Sequence, residues 1–195
     1  MESLLERDGM SERIYQVRGK VEAIWKKPLL RQYTDHTVDH SFRIIQILDK
    51  FTDLLDKSLT ADEAYVLLCS ALLHDIGMQQ EKFFETEAVK ERYSEDYIAE
   101  AREDDAKRDA LIRECHHLMS AERIKEQSVA GCLEEQFVDE IACVSSAHTK
   151  TDLTKIPDRK KAGQPMRLQL LAALLRPADE LDLDYRRVDL DELEQ

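Results

Sequence analysis

Turn-forming residues are scarce in this sequence. Five glycines and four prolines serve 195 residues, so loops are few. The four cysteines, Cys69, Cys115, Cys132 and Cys143, form no Cys-x-x-Cys pair, and three of them sit in apolar helical contexts. They read as reduced core residues rather than a disulfide framework. No run reaches the 18 apolar residues needed to cross a bilayer. The opening MESLLERDGM is charged and lacks the apolar stretch of a signal peptide. Together these absences predict a cytoplasmic protein with no membrane partner. Positive charge is also short: 28 Lys and Arg stand against 41 Asp and Glu, for a net charge of −13. A basic surface for gripping a phosphate backbone is missing, which disfavours nucleic acid as a partner.

What the sequence does have is a core and charged surfaces. Hydrophobic residues make up 43% and charged residues 35%, which excludes disorder and suits one globular domain with an appendage. The periodicity is helical almost throughout. A first helix opens at Ser11, carries Ile14, Val17, Val21, Ile24 and Trp25 on one face, and closes before Pro28. A second runs from about Thr37 to Asp56 with Phe42, Ile44, Ile45, Ile47, Leu48 and Phe51. Thr60-Ala-Asp-Glu is a capping box that starts a third, nearly all apolar helix, with Gly77 expected to cap its end. Residues 81–110 predict one or two exposed helices. A helix follows from Asp104 to about Gln127 with Leu111, Ile112, Cys115, Leu118, Met119 and Ile124, and another over 134–147.

The segment 149–165 is the longest without periodicity and holds Lys150, Lys155, Arg159, Lys160 and Lys161. A last greasy helix over 167–184 is expected to break at Pro177. The final stretch, DELDLDYRRVDLDELEQ, reads as an acidic tail. No alternation of strand length stands out, so the expected class is all-α.

The apolar stretch AYVLLCSALL (64–73) runs directly into His74 and Asp75. Burying an imidazole beside a carboxylate is costly unless something compensates both. The other histidines are His36, His40, His116, His117 and His148, each at a helix start, a helix end or an apolar side. His36 and His40, four apart, share a face. Asp179 lies just past Pro177 on the last greasy helix. Histidine and carboxylate are the usual ligands of a borderline divalent metal, and a bound cation would provide the missing compensation.

In chain order these residues read H…HD…H…H…D on successive helices: His40 in VDHSFRI, His74-Asp75 in LLHDIG, His117 in CHHLMSAERI, His148 in SSAHTKTD and Asp179 in LLRPADELD. The pattern resembles the HD superfamily of metal-dependent phosphohydrolases over residues 33–184. The resemblance implies a helical bundle with a metal site at its centre. It divides the chain into an N-terminal helical extension (1–32), the HD domain (33–184) and an acidic tail or the start of a further segment (185–195), as in larger bacterial proteins that continue into another domain. The two histidines beyond the minimal set resemble the subset that binds two metals, which includes HD-GYP cyclic-dinucleotide phosphodiesterases and CRISPR-associated HD nucleases. A GYP motif is absent, and MQQEKF follows HDIG where alarmone hydrolases carry a glutamate-aspartate pair. Substrate class is therefore not inherited from those branches.

The implied chemistry uses up to two divalent ions per chain (Mn, Fe, Ni, Co, Zn or Mg). Asp75 bridges them; His40, His74 and Asp179 complete one site, and His117 with His148 the other. A metal-activated hydroxide then attacks phosphorus in a phosphoester or phosphoanhydride of a nucleotide or other small phosphorylated molecule. Lys150 and Arg176 are candidates to spread the developing charge, and His36 and His116 are candidate extra ligands. Helix geometry turns His116 about 100° from His117, so one of the pair faces the site; the resemblance implies His117, because the family pattern has a small residue three positions after the ligand, here Ser120. The loop at 149–167 is expected to flank the site. A sensor module that signals to an attached domain or partner without turnover is the alternative, and a nuclease on single-stranded nucleic acid is the third reading.

Overall fold

The computed structural model describes residues 10–26, 38–149, 151–161 and 163–182. Helix α1 (Met10–Trp25) buries Val17 and Val21, and α2 (Val38–Asp53) buries His40, Ile44 and Leu48. The spacing of four in α2 keeps these residues on one inward stripe. Helix α3 (Ala61–Leu73) is buried on all sides, every residue from Glu63 to Leu73 being inaccessible. A helix apolar all round belongs at the centre of its fold, and α1, α2, α8 (Val138–Ser146) and α9 (Leu168–Glu180) pack around it. Thus α1, expected to be an extension, contributes to the main core.

Between α3 and α8 the chain forms a 3-10 turn at Ile76–Gln79, the short helices α4 (Glu87–Lys90) and α5 (Glu95–Glu103), the long α6 (Asp105–Lys125) and the short α7 (Gln127–Ala130). The charged 81–110 segment covers a small core of its own: Phe83, Val89 and Ala101 meet Leu111, Ile112, Cys115 and Met119 of α6. Further along, Ile124 of α6 joins the main core. Asp104 caps α6 by accepting the Lys107 N–H at 3.1 Å.

Two expectations are corrected, for Pro177 and Gly77, and a small ribbon joins the otherwise helical plan. Helix α9 does not break at Pro177 but continues to Glu180. The proline lies in its last turn, where Leu174, Leu175 and Ala178 are buried; packing of that face holds the helix together despite the missing N–H. A two-stranded antiparallel ribbon, β1 (Arg159–Lys161) with β2 (Gln164–Met166), turns at Gly163, whose φ of 80° suits glycine. Three-residue strands are too short to show alternation in sequence. Gly77 does not cap α3 in a left-handed conformation. It sits in the 3-10 turn where α6 passes closely, and a Cβ there would collide with the His116 carbonyl oxygen and the Ser120 backbone nitrogen.

One ion pair sets the relation of the two greasy helices. The capping box forms as expected: Thr60 Oγ1 accepts the Glu63 N–H at 3.2 Å, and Glu63 Oε2 accepts the Thr60 N–H at 2.9 Å. Glu63 also reaches across to the start of α9. Its Oε1 accepts from Arg167 N and Nε at 3.0 and 2.8 Å, and its Oε2 from Nη2 at 2.7 Å. The starts of α3 and α9 are thereby latched. The 14 steps from Thr60 to His74 and the 12 from Arg167 to Asp179 span similar lengths, roughly 20 Å, so both helices deliver their far ends to one place.

Burial raises the pKa of Glu63, but the Arg167 contacts outweigh it and hold the carboxyl below its ordinary value of 4.5. Glu63→Ala is expected to cost about 2 kcal/mol of stability at neutral pH, because it removes the acceptor of charge-assisted bonds from Arg167, which is left half-buried and without that partner. With the folded-state pKa depressed, that contribution is present above 4.5 and lost as pH falls through the folded value. Urea unfolding of wild type and variant should give curves that separate at pH 7 and converge in acid; equal stability at pH 7 would contradict the latch.

Candidate metal centre

The chain leaves α3 at His74, and the following turn presents Asp75 into the bundle. His40 comes from the first turn of α2, His116 from α6, His148 from just beyond α8, and Asp179 from the end of α9. These six side chains converge. Asp75 Oδ2 lies 3.2 Å from His74 Nε2 and 3.7 Å from His40 Nε2. Asp179 Oδ1 lies 3.1 Å from His40 Nε2 and 3.6 Å from His74 Nε2. The other oxygen of Asp75, Oδ1, lies 3.5 Å from both His116 Nε2 and His148 Nε2. Two groups result, His40-His74-Asp179 and Asp75-His116-His148, each with ligand atoms within 4.8 Å of one another and able to hold a metal ion. One carboxylate faces both.

The rings are oriented by their other nitrogens. His74 Nδ1 meets the Ala71 carbonyl at 2.9 Å, His116 Nδ1 the Arg113 carbonyl at 2.6 Å, and His148 Nδ1 the Ser145 carbonyl at 2.6 Å. Each partner is three residues back, which the helix supplies. A carbonyl only accepts, so the Nδ1 atoms carry the protons and the Nε2 lone pairs point inward. His116 Nε2 and His148 Nε2 then face each other at 2.9 Å. Two lone pairs at that distance repel unless a cation stands at them, and a metal ion fits that need.

Electrostatics agree with the donor set. His148 is pushed down to about 3 by burial first and by His74 second, which keeps it a neutral ligand. His74 goes the other way. Burial lowers its pKa, but Asp75 and Asp179 outweigh that and raise it well above 6.5. Asp179 is depressed despite burial, because His40 and His74 bond to it. A proton shared in this cluster is what a metal ion would displace.

The structure brings together His40, His74, Asp75, His148 and Asp179, all expected from sequence. It also corrects one choice: His116, not His117, stands beside Asp75 and His148. His117 is turned off the site, its ring 6.4 Å from that of His148, and burial, His116 and Arg92 push its pKa down to about 4. Ser120 was the right clue attached to the wrong residue. It lies four positions after His116, hence on the same face, where its Oγ accepts the Gly77 N–H at 2.8 Å. That bond and the missing Cβ of Gly77 let the turn after Asp75 lie against α6.

Arg176 donates from Nη2 to the carbonyls of Ala147 and Thr151 at 2.9 and 2.6 Å. It holds the backbone on either side of His148. Lys150 and His36 lie outside the described residues. The loop expected to flank the site spends two of its cations elsewhere: Arg159 and Lys161 sit 3.0 and 3.2 Å from Glu140 Oε1, a buried carboxylate in the first turn of α8. Sequence reasoning missed Asp182, whose Oδ2 lies 2.6 Å from His40 Nδ1, and Arg43, which donates to it. Asp182 was hidden in what read as an acidic tail.

The fold and site define an all-α bundle whose centre is a histidine-aspartate cluster able to bind metal. The chain belongs to the HD-CE family, whose model matches residues 30–190. No curated protein and no solved structure matched the chain. Among the described residues no helix is long and apolar enough to cross a membrane.

Proposed function

We propose that the protein is a metal-dependent hydrolase of phosphoester or phosphoanhydride bonds, acting on a nucleotide or another small phosphorylated molecule. One observation carries the reading: the two oxygens of Asp75 face two separate groups of ligands, 3.2 Å from His74 on one side and 3.5 Å from His116 and His148 on the other. His40, His74 and Asp179 would hold one divalent ion, His116 and His148 the other, with Asp75 between. Bound ions at such a site supply Lewis acidity toward a phosphoryl oxygen and lower the pKa of coordinated water toward neutrality.

The chain's own residues do the rest. Asp75 fixes the spacing of the two groups, and the Nδ1–carbonyl bonds hold His74, His116 and His148 in the tautomer that presents Nε2. Arg176 braces the backbone at His148. Substrate attraction has to come from the site itself, since the chain carries −13 overall; this favours a compact anion over a polymer. The engagement of Arg159 and Lys161 with Glu140 further weakens the nuclease reading.

The test is elemental analysis of the purified chain, followed by assay of phosphomonoesters, phosphodiesters and nucleotides with the metal found. Turnover that a chelator removes and the metal restores is the expected result. A protein that holds its ions yet turns over none of the panel would contradict the hydrolase reading and favour a signalling module.

A further inference from the structure

His40 is gripped from both edges by the end of a single helix. Its Nε2 lies 3.1 Å from Asp179 Oδ1, and its Nδ1 lies 2.6 Å from Asp182 Oδ2. The two aspartates are three residues apart where α9 ends, and the Asp182 N–H donates to the Asp179 carbonyl at 3.2 Å. The turn that offers one carboxylate to the metal side of the ring therefore offers the next to its back. His40 differs here from His74, His116 and His148, each of which uses a carbonyl of its own chain three residues back. For His40 the partner instead comes from 142 residues away.

Asp182 is itself held. Arg43, three residues after His40 on the same face of α2, donates from Nε to Oδ1 at 2.7 Å and from Nη2 to Oδ2 at 3.0 Å. This two-pronged pairing fixes the carboxylate plane. Asp182 is 5% exposed and His40 1%, so neither group rotates freely into water.

We propose that Asp182, locked by Arg43, is a positioning residue for the metal centre: it holds His40 as the Nδ1–H tautomer and keeps Nε2 turned to the ion. The inference rests on the metal-site reading given above. A carboxylate behind a ligating imidazole both sets the tautomer and raises the basicity of the ligating nitrogen, and loss of such a partner weakens metal binding by about 10–100-fold. The arrangement also couples α2 to α9 at the site, opposite the Glu63–Arg167 latch at the far end.

The experiment compares the full chain with Asp182→Ala and the near-isosteric Asp182→Asn, which preserves volume should the alanine variant fail to fold. Thermal unfolding establishes that each variant is folded. Two readouts follow. Proton–nitrogen NMR of isotope-labelled histidine in metal-free protein reports the tautomer of His40, assigned by loss of its signals in His40→Gln. Competition with a chromophoric chelator reports Co2+ affinity.

Wild type should show His40 with its proton on Nδ1. The alanine variant should shift that ring toward a mixture of tautomers, leave the ring signals of His74, His116 and His148 in place, and bind Co2+ about 10–100-fold more weakly. The asparagine variant should fall between. A folded variant with an unchanged His40 tautomer and Co2+ affinity within twofold of wild type would overturn the proposal. Should wild type take up neither Co2+ nor any other divalent ion of a panel of Mn2+, Fe2+, Ni2+, Zn2+ and Mg2+, the hydrolase reading fails, and the ring signals alone decide the role of Asp182.

Discussion

Asp75→Ala is expected to leave the protein without bound divalent metal and without hydrolytic turnover. Among the described residues Asp75 is the one side chain whose two oxygens face both ligand groups (Oδ2 toward His74 and His40, Oδ1 toward His116 and His148). Its removal weakens both sites at once, whereas loss of any single histidine weakens one. Stability should change in a diagnostic way. Wild type should gain stability as metal is added, by about 2.7 kcal/mol at a hundred times the dissociation constant. The alanine variant should gain almost none. Without metal the variant need not be weaker than wild type, because a buried carboxylate packed near Asp179 has been removed. Elemental analysis and thermal unfolding with and without metal check the two halves. Metal-dependent turnover retained by a folded Asp75→Ala protein would place the chemistry elsewhere.

His116→Ala and His117→Ala should behave oppositely, although the residues are adjacent. His116 Nε2 sits 3.5 Å from Asp75 Oδ1 and 2.9 Å from His148 Nε2, so its loss should empty the second site while the His40-His74-Asp179 group keeps its ion. The loss in affinity should exceed the ~10–100-fold typical of a partner behind a ligand. His117→Ala should keep both ions and alter stability modestly, through packing alone. Saturated metal content per chain separates the two: near one for His116→Ala and near two for His117→Ala. The reverse pattern would return the ligand role to His117, and a saturated wild type holding a single ion would remove the two-metal idea altogether.

The ligand pattern was legible because it is written in local terms. A run of ten residues with one polar side chain, ending in His74 and Asp75, announces a central helix with a charged end. Periodic apolar positions drew α1, α2 and α6 to within a few residues of their observed ends, and Thr60 with Glu63 marked the start of α3 through a bond spanning three residues. Histidines placed at helix ends could be recognised as candidates before any contact was known.

Other features depended on packing. The sequence places His116 and His117 about 100° apart on one helix but carries no record of how α6 is rotated against its neighbours. That rotation is fixed by Gly77, where the absent Cβ admits α6, and by Ser120, which accepts the N–H of the turn. Pro177 looked like a break because local rules count the lost N–H and cannot count the buried face that holds α9 together. That Arg159 and Lys161 pair with Glu140 was not legible either, because the partner lies about twenty residues back on α8.

By itself, then, the sequence determined which segments are helical, which of them is central, and which residue types are available to hold a metal, since each of these follows from spacings of a few residues along one element. Only the tertiary structure decided which histidine of an adjacent pair faces inward, that Glu63 latches Arg167 across 104 residues, and that Asp182 stands behind His40 across 142. Those outcomes depend on the angles and rotations at which helices meet, and these are settled by the packing of the whole core rather than by any stretch of the chain.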